Sequence, residues 1–186
     1  AAGLINPLIG PKFNAPLHAK DCLTESQRFF RSIEKETGTS LYGEFLLHRV
    51  FVSEKQRDLW LEKSKDPVFR RYARSVERRK ACEKLGLVAP LGAGTQLANR
   101  LDFPLFLKLS ENMLRQAGCW QDGIFEEADW KEAKKIVFCE GYRVMRNPWF
   151  GHLPFAPAQG EILLMETGLS VAASNGTWIV PEKKDR

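Results

Sequence analysis

The chain has 186 residues, 44% of them hydrophobic, enough to bury a core in one or two domains and too apolar for disorder throughout. Its net charge of +5 is modest and gives little ground for a nucleic-acid partner. No apolar run approaches the ~20 residues that cross a bilayer as a helix.

Cys22, Cys82, Cys119 and Cys139 form no Cys-x-x-Cys pair, and His18, His48 and His152 are scattered. That pattern argues against a zinc site and suits a reducing, cytoplasmic setting better than secretion. The uncharged opening Ala-Ala-Gly-Leu-Ile-Asn-Pro lacks the layout of a signal peptide. Asn175-Gly176-Thr177, which matches a glycosylation sequon, reads as a turn.

Residues 1–22 read as irregular chain rich in Pro and Gly. Thr24 to Gly38 reads as a helix: Thr24 and Gln27 have capping-box spacing, Phe29, Phe30 and Ile33 mark one face, and Gly38 is the stop. Tyr42 to Val52 alternates as a strand. Phe45, Leu47, Arg49 and Phe51 share one face and Leu46, His48, Val50 and Val52 the other, so both faces are apolar and the strand is central or covered. Ser53 caps the next helix with Gln56 as its reciprocal partner, and Trp60 lies on the inner face.

Asp66-Pro67 is expected to open a further helix, with Val68, Tyr72, Ala73 and Val76 at helical spacing. Residues 86–98 read as a loop with a short strand. Asp102 caps a strong helix with Pro104 in its first turn, a Leu105/Leu109/Met113 stripe and a stop at Gly118. Lys135–Cys139, Gly160–Met165 and Thr177–Val180 are expected strands, and Cys139 is expected to be buried. Helices and strands follow one another without regular βαβ alternation. The expectation is therefore an α+β fold, a mixed or antiparallel sheet with flanking helices.

Three segments could carry chemistry. Ala1-Ala2-Gly3-Leu4-Ile5-Asn6-Pro7 places three small residues in a row, which leaves backbone amides open to a ligand. Lys135 to Tyr142 runs an apolar segment into a Gly turn that a flat ligand or another backbone can approach. Pro154 to Leu163 is a Pro-bounded loop feeding an expected strand. In this order the three resemble flavoproteins of the D-amino-acid oxidase/glycine oxidase superfamily. Those proteins carry an Ala-Ala-Gly-Leu segment against the flavin, then a strand ending in a small-residue/x/Gly turn that also touches FAD, then a Pro-x-x-Gly-Glu strand. Here the counterparts are Ala1–Pro7, Phe138-Cys139-Glu140-Gly141-Tyr142-Arg143 and Gly160-Glu161-Ile162-Leu163.

The resemblance covers nearly the whole chain and implies FAD as cofactor and a small-molecule amine or amino acid as substrate. It implies that Ala1, Ala2, Gly3, Leu4 and Ile5, together with Cys139 and Gly141, touch the flavin. It assigns residues 1–20 and 134–146 to an FAD-binding domain, and 21–133 and 147–186 to a substrate-binding domain. The family's Gly-x-Gly-x-x-Gly fingerprint precedes the Ala-Ala-Gly segment and is not among these residues. Its later Gly-rich segment is also missing, so weak or no FAD binding by this chain alone is expected. Where the family has a strand and hairpin near the adenosine, only Asp122–Trp130 is available.

Arg49 is the polar residue that stands out, because a guanidinium on an apolar strand face needs a partner. A substrate carboxylate would match its fork, and an internal salt bridge or a reach to solvent would also serve. His48, on the opposite face, is expected to pack or make a single hydrogen bond. Trp149 and Phe150 suit either a pocket wall or a core. Two other readings stand beside the oxidoreductase. One is a nucleic-acid-binding or tRNA-modification-associated domain, using Arg70, Arg71, Arg74, Arg78, Arg79 and Lys80 along a helix. The other is an inactive truncated domain.

Overall fold

The computed structural model describes residues 3–126 and 133–181. They form two compact units, one of the residues through Asn112 with those from Leu164 onward, the other of Met113–Leu163. The fold is α+β, with a mixed sheet and flanking helices.

The first unit is built on β2 (Tyr42–Val50) and β4 (Ala93–Leu101), which pair antiparallel over their full nine-residue lengths, from Tyr42↔Leu101 to Val50↔Ala93. The other edge of β4 is shared by β1 (Leu4–Ile5) and β3 (Ala73–Glu77). The other edge of β2 takes β5 (Ala172–Ser174) in parallel, and β6 (Trp178–Ile179) closes on β5. β2 is therefore central, as its two apolar faces require.

The helices are α1 (Ala19–Thr37), α2 (Glu54–Lys63), α3 (Arg79–Lys84) and α4 (Phe103–Gln116). Two starts follow the sequence closely. Ser53 Oγ accepts from the Gln56 N–H at 3.2 Å, while Gln56 Oε1 accepts from Val52 N at 3.0 Å, one residue before the usual capping-box donor. Asp102 Oδ1 accepts from Leu105 N at 3.0 Å. Gly38 and Gly118 both take the left-handed conformation that stops a helix.

Other expectations are corrected. α1 begins at Ala19, so Thr24 lies inside the helix and its capping box does not form. Burial of Ala19 against the Phe13–Trp60 core, with Leu23 packed beside it, extends the helix backward. The helix expected from Asp66-Pro67 is a 3-10 turn at Phe69–Arg71 followed by β3. There Asp66 Oδ1 takes the Val68 N–H at 2.8 Å, and Phe69, Tyr72 and Ala73 are buried while Val68 and Val76 are exposed, so the expected stripe is not one face. Residues 86–98, read as a loop with a short strand, hold most of the nine-residue strand β4, which pairs with β1, β2 and β3. Gly94 is the imprint of Trp60: a Cβ there would lie 2.3 Å from the indole.

Trp60 is 1% exposed and meets Phe13, Phe51 and Phe69 edge-on, with centroids 4.9 to 6.0 Å away. Burying such an aromatic contributes a few kcal/mol. A second cluster joins Cys82, Leu87, Ala89, Ala93 and Ala173. On α1, Phe30 stacks on Tyr42 and meets Phe106 of α4 edge-on.

In the second unit, Phe138 contacts Phe125, Trp149 and Phe150 with centroids 5.3 to 5.6 Å apart. Trp149 and Phe150 are thus packed into an aromatic cluster. Lys135–Cys139 forms no strand, and Gly160–Met165 forms none either. Cys139 is exposed; the buried thiol is Cys82.

Candidate functional site

Ala1 and Ala2 lie outside the described residues. Gly3 has φ +67, and a Cβ there would sit 1.8 Å from the Leu101 carbonyl oxygen, so only glycine fits. Its carbonyl accepts from Leu101 N at 2.9 Å. Leu4 and Ile5 then pair with Arg100 and Asn99 of β4. The Gly of the Ala-Ala-Gly segment thus has a structural cause, close backbone approach to β4, and the segment is docked as a short edge strand.

The loop that follows is clamped from three elements. Asn6 Oδ1 accepts from Leu8 N at 3.1 Å and from the Gln96 side-chain amide of β4. Lys63 of α2 donates to the Lys12 carbonyl and to Asn14 Oδ1, each at 2.7 Å. Ile9 and Asn14 bridge antiparallel, and between them Phe13, at φ +52, inserts against Trp60.

The clamp from β2 is Arg49. Its Nη1 donates to the Leu8 carbonyl and its Nη2 to the Gly10 carbonyl, both at 3.0 Å, and the guanidinium lies 5.2 Å from the Phe13 ring centroid. Arg49 is 7% exposed. A cation buried to that degree costs several kcal/mol unless hydrogen-bonded. Burial lowers its pKa from the ordinary arginine value. The partner demanded by the apolar face is therefore a pair of backbone carbonyls, and no carboxylate among the described residues pairs with it. Arg49 and Gly3–Ile5 are brought into one construction, since both hold the chain that runs from Gly3 to Asn14.

His48, on the other face, is buried, with Nδ1 3.1 Å from the Ala172 carbonyl. That is the single hydrogen bond expected of it.

Cys139 and Gly141 belong to the second unit. Gly141, at φ +57, opens a 3-10 turn (Gly141–Arg146), and a Cβ there would meet nothing within 4 Å. The corner is held by Asn147: Nδ2 donates to Glu140 Oε2 at 2.7 Å, and Oδ1 accepts from Trp149 N and Phe150 N. Asn147 is 6% exposed.

Two anchoring residues escape sequence reasoning. Asn147 has a faint signal in the Asn-Pro dipeptide. Gln96 has none, because one amide in a run of small residues looks like loop. It is fully buried, and its Oε1 has no partner among the described residues.

The basic residues form no phosphate-tracking helix. Arg70 and Arg71 lie in the turn, Arg74 in β3, and Arg79 and Lys80 in α3. Arg74 turns back onto the carbonyls of Arg70, Arg71 and Ala73, and Arg79 pairs with Glu83 at 2.7 Å. Among the described residues no helix is long and apolar enough to cross a membrane. No family model and no solved structure matches the chain.

Proposed function

We propose that this chain is part of an FAD-dependent oxidoreductase that oxidises an amine or amino acid in the cytoplasm. The flavin, when bound, supplies hydride acceptance from the carbon bearing the amine. In this reading Ala1–Ile5 and the Cys139–Gly141 corner lie against the flavin. The support is the order of the three motif segments along the chain, together with a docked Gly3–Ile5 and an open Gly141 that a flat ring can approach.

One observation carries the reading further. Ile162, Leu163, Leu164 and Met165 are 55%, 77%, 85% and 69% exposed, and Val137 is 75% exposed. Runs with the composition of strands stand without a ladder at two places where the family has strands, the first of them ending in the turn that touches FAD. In this reading their partner strands lie outside these residues.

Arg49 orients in this reading. Two N–H groups hold the loop after the flavin-contacting segment, and the remaining N–H groups of the five-donor fork serve a substrate carboxylate. The test is to express the gene with its flanking coding sequence. Stoichiometric flavin absorbance, bleached anaerobically by an amino acid or amine, is the expected result. A folded product that retains no flavin and lacks a Gly-x-Gly-x-x-Gly strand-turn-helix upstream of Ala1 would sink the proposal.

A further inference from the structure

One cleft of about 210 Å³ in the first unit is lined from α1, β2, β4 and the turn before β3. Its construction follows from helical and strand periodicity. Lys20, Thr24 and Gln27 recur at helical spacing on α1, with Leu23 beside them. Glu44 and Asn99 are directly paired across β2 and β4, so both project from the same sheet face. Arg71 enters from the β3 side, next to Tyr72, whose carbonyl accepts from Leu97 N at 2.9 Å. The floor is Tyr42, Tyr72 and Leu97.

Away from the cleft, α1 carries two ion pairs: Arg28 pairs with Glu25, and Arg31 with Glu34 at 2.6 Å. Around the cleft, Lys20, Thr24, Gln27, Glu44, Arg71 and Asn99 all line the space, yet among the described residues none of their side chains makes a hydrogen bond or ion pair. Two cations and one carboxylate share the lining with two amides, a hydroxyl and the apolar surface of Leu23, Tyr42, Tyr72 and Leu97. A few directional polar groups over apolar walls is the make-up of a small-molecule site. Cleft volume corresponds to roughly seven waters at ~30 Å³ each, a small-metabolite scale.

Charge balance selects the ligand. A simple dicarboxylate leaves Glu44 facing an anion, and a diamine sets two ammonium groups against Lys20 and Arg71. A molecule with two carboxylates and one ammonium matches all three charged side chains. We infer that this cleft binds an amino dicarboxylic acid, with its carboxylates toward Arg71 and Lys20, its ammonium toward Glu44, and its methylene chain over Tyr72 and Leu97. The inference does not rest on the flavin reading, because every group it uses lies in the first unit and outside the residues proposed to face the cofactor.

The test uses the chain as it is, without flavin. Glutamate, glutarate and 1,4-diaminobutane are titrated while the backbone amide signals of Leu97 and Asn99 are followed by NMR, with sodium chloride at matched ionic strength as control. Glutamate is expected to give saturable shifts, and the other two much weaker ones. Arg71→Ala should weaken glutamate about tenfold, the scale of one charge-assisted hydrogen bond. Glu44→Gln should weaken glutamate and strengthen glutarate, so that their affinity ratio moves about tenfold. Arg71 and Glu44 are both exposed, and unchanged thermal midpoints will show that the variants fold. No saturable shift by ~10 mM glutamate, the same shifts with sodium chloride, or a glutamate-to-glutarate ratio unmoved by Glu44→Gln would each overturn the inference.

Discussion

The strand pair β2–β4 and the stretch from Lys135 to Met165 contain the same kind of apolar run, and they end differently. In β2, Leu47 is fully buried, and both edges of the strand are taken, by β4 and by β5. In the later stretch, Leu163 and Leu164 are largely exposed, and no ladder forms. Hydropathy does not separate the two. Partners do: a strand exists when its N–H and C=O groups meet another edge, and an apolar run denied that edge stays irregular. The first region is closed by its own residues. The second is held by local devices, the Phe138 aromatic cluster and the Asn147 corner.

The contrast predicts a steep gradient of mutational cost. Trp60→Ala removes the side chain that packs Phe13, Phe51 and Phe69 around Gly94, and should cost about 3–5 kcal/mol in urea unfolding. A loss below about 1 kcal/mol would show that the first region is not organised around it. Arg49→Lys keeps the charge but cannot reach both the Leu8 and Gly10 carbonyls. It should cost about 2 kcal/mol, visible as a lower thermal midpoint and faster amide exchange across residues 6–14. Unchanged exchange there would mean that the loop does not depend on the fork.

A smaller effect is expected at Glu34, which ties the end of α1 to the start of β2. Its Oε1 accepts from Leu41 N at 2.7 Å and Tyr42 N at 2.9 Å. Burial pushes this carboxyl upward, but the two N–H groups and Arg31 outweigh burial and hold its pKa below the ordinary value. Because the folded pKa is the lower one, the stabilisation is present above the unfolded value of about 4.3 and is lost as pH falls through the folded value. Glu34→Gln should therefore cost about 1 kcal/mol at pH 7, and the gap to the wild type should close in acid. A gap independent of pH would assign the effect to packing. Least of all, Leu163→Ser should stay within about 0.5 kcal/mol for this chain. A loss above about 1 kcal/mol would erase the distinction between the two regions.

Much of the first region could be read from the chain. Ser53, Asp102, Gly38 and Gly118 mark helix ends because capping is a local matter of side chain and backbone. The alternation of Tyr42–Val52 announced a central or covered strand because both its faces are apolar. β4 was illegible for the opposite reason: Ala93, Gly94 and Ala98 are small to admit neighbours that lie far away in sequence. At Asp66 a helical period in the apolar residues lost to a local turn and a sheet edge. For the candidate site, Arg49 could be singled out, since a charge on an apolar strand face demands a partner. Its partners could not, because backbone carbonyls leave no trace in a sequence. The docking of Gly3 on Leu101 was hidden in the same way.

The hydrogen bond from His48 to the Ala172 carbonyl spans 124 residues of chain, and β5 joins β2 at the same place. Closing so large a loop is entropically slow, and topologies dominated by distant contacts fold slowly. On the ribosome, β2 and β4 emerge and pair long before β5 is made, and the β2 edge stays open meanwhile. An open edge invites other chains. Nascent-chain lengths that stop short of Ser174 are therefore the ones expected to aggregate or to recruit chaperones, and refolding from urea should show a late phase reported by the histidine ring.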